Sequence, residues 1–148
     1  MMPIRLSLLL VLGVLFLIDR FLKRLAVLNP SVGTGDFFYA TTAINHAGPF
    51  SLSLPNVLLV VVAAAAFVWL TRLAHGAYQK NEWPKLFGAG LMLVGGFSNV
   101  WDRITVGGVI DIWQMALSTG LSFNLSDVYL VLGLVLVAWT YRRESQYS

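Results

Sequence analysis

Between Gly95 and Asp127 the chain reads GGFSNVWDRITVGGVIDIWQMALSTGLSFNLSD. This stretch holds three of the five aspartates, Asp102, Asp111 and Asp127, and two asparagines, Asn99 and Asn124. The segments on either side are apolar enough to lie in a bilayer, where a carboxylate is costly and marks function. Asp111 stands between Ile110 and Ile112, beside Trp113, in a strand-like run where nothing local accounts for a charge. Asp127 opens an apolar span. Two carboxylates that share one proton can activate a water with one member and protonate a carbonyl or leaving amine with the other, as aspartic proteases do. Asp111 and Asp127 are 16 positions apart, too far for one helix to join them, so the intervening loop has to fold back.

Other polar residues sit at helical spacing. Asn99 and Asp102 share a helix face, with Arg103 following, and Gly95 and Gly96 one turn earlier permit close approach of another helix. Taken alone, Asp102-Arg103 suits an interfacial anchor. Asp19 and Lys23, four apart, also share a face. They are either a helix-end ion pair, with Lys23 snorkelling to the headgroups, or part of a polar site between helices. Asn124 and Asp127 are favoured helix N-caps, and a carboxylate suits the positive end of the helix dipole. A cap needs one such residue, whereas here Asn124, Ser126 and Asp127 crowd together.

The elements that must position these residues are apolar. Hydrophobic side chains make up 57% of the 148 residues and charged ones 11%, against about 25% charged in a globular domain. Mean hydropathy is +0.75. The class is a polytopic membrane protein of one domain. Net charge is +3, with the basic residues dispersed, which fits anionic lipids rather than nucleic acid. The absence of cysteine excludes disulfides, thiol nucleophiles and cysteine metal sites, and His46 and His75 are too far apart for a helical His-x-x-x-His pair. Four transmembrane spans are expected, at about residues 4–25, 54–73, 86–102 and 127–142. The first has no small-x-small cleavage site and is expected to be retained. Arg5, Arg72, Lys80, Lys85, Arg142 and Arg143 fall on one side, and Arg20, Lys23, Arg24 and Arg103 on the other. By the positive-inside rule both termini are cytoplasmic, with all aspartates toward the outer face. In the outer loops, residues 37–42 and 109–113 have strand character and are expected to form a small sheet lying on the membrane, and the run from Asn45 to Pro49 is turn-prone.

Five blocks, in order along nearly the whole chain, carry a resemblance. Asp19-Arg20-Phe21-Leu22-Lys23 is similar to D-Q-x-x-K, and Asn45 through Phe50-Ser51 to N-x-G-A-A-F-S. Gly95-Gly96 through Asn99 and Asp102-Arg103 resembles G-G-x-x-G-N-x-x-D-R. Val109 to Ile112 resembles V-V-D-F, and Phe123 to Asp127 resembles F-N-x-A-D. These are the motifs of the lipoprotein signal peptidase (signal peptidase II) family, bacterial membrane aspartyl peptidases. The resemblance implies an all-α membrane protein of four transmembrane helices, with a small outer-face β-sheet and a short outer-face helix. It implies a catalytic dyad of Asp111 and Asp127. Asn45, Asn99, Arg103 and Asn124 would position the substrate or the dyad, while Asp19, Lys23 and Asp102 support the polar site. It further implies no metal or other cofactor, a diacylglyceryl-modified prolipoprotein as substrate cut before its lipidated cysteine, and membrane lipids as surroundings. A monomer in the bacterial inner membrane and sensitivity to cyclic peptides of the globomycin type complete the expectation. The chain departs from the family pattern at Arg20 (Gln), Ser98 (Gly), Ala47-Gly48-Pro49 (Gly-Ala-Ala) and Ser126 (Ala). Two alternatives stand beside the enzyme: a catalytically inactive family member binding lipid or lipoprotein, and a cation site built from Asp102, Asp111 and Asp127 as hard oxygen ligands.

Overall fold

Each apolar run folds as a helix longer than the run that marks it. The computed structural model describes residues 4–30, 38–46, 55–115 and 121–146. Its helices are α1 (Ile4–Leu28), α2 (Asn56–Gln79), α3 (Trp83–Val106) and α4 (Leu125–Gln146). At 22 to 25 residues they run roughly 33–38 Å, more than the ~30 Å of a hydrocarbon core. Their extra turns come from the flanks, since backbone groups inside lipid have to be satisfied within the helix. Among the described residues two segments, Val57–Gln79 and Leu125–Gln146, are long and apolar enough to cross a membrane by length and composition. α1 and α3 are as long but fall short of that measure, because they carry Asp19, Arg20 and Lys23, and Asn99, Asp102 and Arg103.

α3 is the central helix and packs against α4, α2 and α1. Glycines set how closely. A Cβ on Gly95 would lie 2.5 Å from the carbonyl oxygen of Ser126 on α4, and one on Gly133 would lie 2.5 Å from that of Gly88 on α3. Gly96 instead faces Phe67 on α2, so the adjacent pair Gly95-Gly96 serves two neighbours. Gly95→Val is therefore expected to destabilise by about 1–3 kcal/mol through overpacking. Gly13→Ala, whose added Cβ meets nothing within 4 Å, should be neutral or stabilising by up to about 1 kcal/mol. Thermal unfolding in detergent micelles compares the two, and equal stabilities would refute close packing at Gly95. At the opposite end Lys85 clamps α3 to α4, 2.8 Å from Glu82 and 2.7 Å from Glu144, with its ammonium over the Tyr141 ring.

A three-stranded antiparallel sheet caps the end of the bundle where α1 and α3 finish and α2 and α4 begin. Its strands are β1 (Phe38–Asn45), β2 (Val109–Met115) and β3 (Ser122–Phe123), in that order. α3 stops at Gly107, whose φ of 77° is left-handed, a conformation that glycine adopts without steric cost. A Cβ on the next residue, Gly108, would collide with Ile44 and the Asn45 carbonyl, so β2 can start directly against β1. Thr42 Oγ1 donates to the carbonyl of Ala26 at 2.8 Å and ties β1 to the end of α1. Asn45, expected in a turn, is the last residue of β1, where it pairs with Val109. β3 was not anticipated: two residues carry no periodic signal. No short outer-face helix occurs among the described residues, and Phe37, Gly48, Pro49 and the Phe50-Ser51 end of the second motif lie outside them.

Candidate active site

β2 carries Asp111 inward under the sheet, opposite Ala43 of β1 and 1% exposed. Two residues beyond Ala43, Asn45 lies on the same strand face, and its Nδ2 donates to Asp111 Oδ2 at 3.1 Å. The Ser122 hydroxyl of β3 donates to the same oxygen at 2.5 Å, and Asn124 Nδ2 donates to Oδ1 at 2.9 Å. Among the described residues this buried carboxyl thus has three side-chain donors, one from β1 and two from the β3–α4 junction. The charge that had no local explanation has a tertiary one.

Asp127 is held by the start of α4. Asn124 Oδ1 accepts from the Asp127 N–H at 3.1 Å, and Asp127 Oδ2 accepts from the Asn124 N–H at 3.1 Å. That is a reciprocal capping box, which satisfies two of the backbone donors a helix start leaves unpaired. The capping reading is therefore realised, and the capping residue Asn124 also bonds Asp111. Asn124 is the hinge of the arrangement, since its amide NH₂ reaches Asp111 while its carbonyl oxygen and backbone N–H hold Asp127. Fully buried Asn124 sets the two carboxyls on either side of itself.

The remaining Asp127 oxygen, Oδ1, accepts from Asn99 Nδ2 at 2.8 Å. Asn99 Oδ1 in turn accepts from Lys23 Nζ at 3.0 Å. An amide with a cation on one side and a carboxylate on the other can face only one way. Lys23 thereby determines which group Asn99 offers to Asp127.

Lys23 does not snorkel. Its side chain is fully buried, bonded to Asp102 Oδ2 at 2.7 Å and Ser126 Oγ at 3.1 Å, and 3.5 Å from Asp19. Asp19, also fully buried, accepts from the Ser98 hydroxyl through Oδ2 and from the Ser126 N–H through Oδ1 at 3.0 Å. The ion pair and the interhelical site are thus one structure. Asp102 is fully buried as well, which rules out a simple interfacial anchor. Arg20 meets its Oδ1 at 2.5 Å, Lys23 its Oδ2, and the Ile110 N–H bonds Oδ2 at 3.3 Å. Two carboxylates and two cations balance, as burial of charge requires.

These partners overturn the cation-site alternative, because Asp102 is engaged by Arg20 and Lys23 rather than turned toward Asp111 and Asp127. Among the described residues no group of three or more potential ligands could hold a metal ion. Arg103 lies within electrostatic reach of Asp127, Asp111 and Asp102. Its NH1 donates weakly to the Asn99 carbonyl at 3.4 Å, and its buried Nε has no hydrogen-bond partner among the described residues.

All nine residues singled out from the sequence thus gather around α3 at the sheet end. Sequence reasoning missed the site roles of Arg20, Ser98, Ser122 and Ser126. The first, second and fourth had a signal, their departure from the family pattern at motif positions, whereas Ser122 had none.

The family model for signal peptidase (SPase) II matches residues 11–142. A lipoprotein signal peptidase of Desulfitobacterium hafniense is 31% identical over 136 residues, covering 84% of this chain and 85% of its own length. That of Streptococcus thermophilus is likewise 31% identical over 136 residues, covering 82% and 85%. The Pseudomonas aeruginosa counterpart is 29% identical over 131 residues, covering 80% and 74%. Among solved structures, a bacterial membrane enzyme determined by the in meso method at 2.3 Å shares the fold. Its TM-score is 0.82 at 14% identity, over 96% of this chain and 91% of that one.

Proposed function

The chain belongs to the signal peptidase II family, and from that premise we propose that it is an aspartic-type endopeptidase of the membrane with Asp111 and Asp127 as its catalytic pair. It removes signal peptides from prolipoproteins. The observation that carries the dyad is the bridging of a buried carboxyl, Asp111, and a half-buried one, Asp127, by the single residue Asn124. One carboxylate, ionised, takes a proton from a water, and the other, protonated, gives its proton to the scissile carbonyl or the leaving amine. The Asn124, Asn99, Asn45 and Ser122 donors hold both carboxyls in place before substrate arrives. Arg103, half-buried and within electrostatic reach of both carboxyls, supplies positive charge for a substrate carbonyl beside the dyad. The substrate is the diacylglyceryl-modified prolipoprotein, cut before its lipidated cysteine. A lipid-anchored substrate stays in the bilayer, and a site capped by a sheet at one end of a helical bundle meets it there. The protein works as a monomer among membrane lipids, and a cyclic peptide of the globomycin type would compete at the same place.

Orientation follows from charge. Both termini are cytoplasmic and the site opens on the outer face of the inner membrane. Reporter fusions after Lys80 and at the C-terminus are expected to report cytoplasm, and one after Gly35 the outer side. An outer-side signal from the C-terminal fusion would overturn the four-span arrangement. For the activity itself, the protein should restore lipoprotein maturation in a host lacking its own enzyme, at a rate unaffected by chelators in purified form. A folded protein that binds lipidated prolipoprotein without cutting it would establish the inactive, lipoprotein-binding alternative.

A further inference from the structure

Three departures from the family pattern, at positions 20, 98 and 126, lie on three different helices, yet all contact one buried cluster. Arg20 NH1 meets Asp102 at 2.5 Å and Ser98 Oγ at 3.1 Å. The Ser98 hydroxyl donates to Asp19 and lies 3.5 Å from Lys23. Ser126 Oγ accepts from Lys23 at 3.1 Å. Ser98 and Ser126 are fully buried, and every one of their hydroxyl contacts is to a charged group of this cluster.

The geometry points to Arg20, Ser98 and Ser126 as positioning residues that act as a unit, through Lys23 and Asn99, to orient Asp127. The inference rests on the reading of Asp127 as catalytic. An ammonium has three N–H groups. Lys23 directs them to Asp102, Asn99 and Ser126, at 2.7, 3.0 and 3.1 Å. Each acceptor fixes the direction of the other two. Arg20 engages the far oxygen of Asp102, so that a single oxygen of that carboxylate, Oδ2, turns to Lys23. Ser98 bridges Arg20 and Asp19, which holds Asp19 against the first turn of α4. Without the Ser126 acceptor, an ammonium N–H is released to swing toward Asp19, 3.5 Å away. The Lys23–Asn99 bond then loses its direction, and with it the Asn99 donor to Asp127. Among the described residues none of the three side chains is hydrogen-bonded to Asp127, so the hydrogen-bonded route from them to Asp127 runs through Lys23 and Asn99.

The test is steady-state cleavage of a lipidated signal-peptide substrate by purified protein, normalised to folded enzyme. Ser126→Ala and Arg20→Gln are each expected to lower kcat roughly tenfold with KM within about twofold, and the double variant to fall well short of the product of the two losses. Ser126→Thr, which keeps the hydroxyl, should restore kcat. Wild-type kcat in both single variants, or Ser126→Thr as slow as Ser126→Ala, would overturn the proposal. Should Arg20→Gln fail to fold, the Ser126 pair decides by itself, because alanine and threonine bracket the hydroxyl at one site. If wild type cleaves, Asp127→Asn does not, and the positioning variants keep full kcat, this inference alone fails. If Asp127→Asn cleaves normally, the dyad reading fails and this inference with it.

Discussion

Asp111→Asn and Asp127→Asn are each expected to lower turnover of a lipidated prolipoprotein by roughly 10²–10⁴-fold, the range that general acid–base catalysis supplies. An amide can be neither the base nor the acid of the pair, yet it is nearly isosteric with a carboxylic acid. Substrate binding should therefore be largely kept. Both residues are held by donors, Asp111 by Asn45, Ser122 and Asn124, and Asp127 by Asn99 and the Asn124 backbone. Their carbonyl oxygens can still accept some of those bonds after substitution, so the variants should fold. The double variant should be hardly slower than either single one, since groups that act as a unit lose their effect together. The wild-type rate should be bell-shaped in pH, because one carboxyl must be ionised and the other protonated, and the two limbs belong to the pair rather than to either residue. Asp102→Asn is the control. Asp102 binds Arg20 and Lys23 and is bonded to neither carboxyl of the pair, so its loss should lower specific activity per folded molecule no further than the positioning variants do, far less than either Asp111→Asn or Asp127→Asn. A folded Asp111→Asn protein cleaving near the wild-type rate would refute the dyad.

The second large effect is on stability. Lys23→Met removes one of two cations from a cluster with two fully buried aspartates. Breaking a buried pair by removing one partner costs about 3–5 kcal/mol, because a charge is left uncompensated. Arg20 still covers Asp102, so the exposed loss falls on Asp19, whose remaining donors are the Ser98 hydroxyl and the Ser126 N–H. Lys23→Met/Asp19→Asn, which removes the orphaned charge as well, should recover part of the stability. Unfolding in micelles measures both variants. Specific activity separates the two jobs of Lys23: the double variant should regain stability without regaining turnover, because Asn99 stays unoriented. Recovery of both would mean that Lys23 only balances charge. A Lys23→Met protein as stable as wild type would mean that the cluster does not hold α1 to α3 and α4.

Much of the fold was legible in the residues alone. Four apolar runs with polar residues crowded at one end define the helices, because lipid admits helical backbone and excludes unpaired charge. Helical spacing placed Asp19 with Lys23 and Asn99 with Asp102, since residues three and four apart share a face whatever the fold. Strand character in 37–42 and 109–113 made a small sheet legible, although its register was not, since Val109 to Trp113 pair with residues from Asn45 back to Ala40; Gly95-Gly96 was legible from the need for close helix approach. Tertiary structure decided the rest. Asp102 and Asp127 both read in sequence as aspartates at the ends of apolar runs, and Asp111 as one inside a strand-like run, with nothing in the sequence to show which partners each would meet. Only the packing of α4 on α3 across Gly95 brings Asp127 to Asn99 while leaving Asp102 to two cations of α1. Apart from the local bonds between Asp127 and Asn124, the contacts that distinguish them join residues from 8 to 82 positions apart, beyond the reach of any local periodicity. Asn124 could be foreseen as a cap or as a site residue, but not as both. That double role exists because an amide has a donor end and an acceptor end, and because the helix start and the sheet meet at the one place where each end finds its own aspartate.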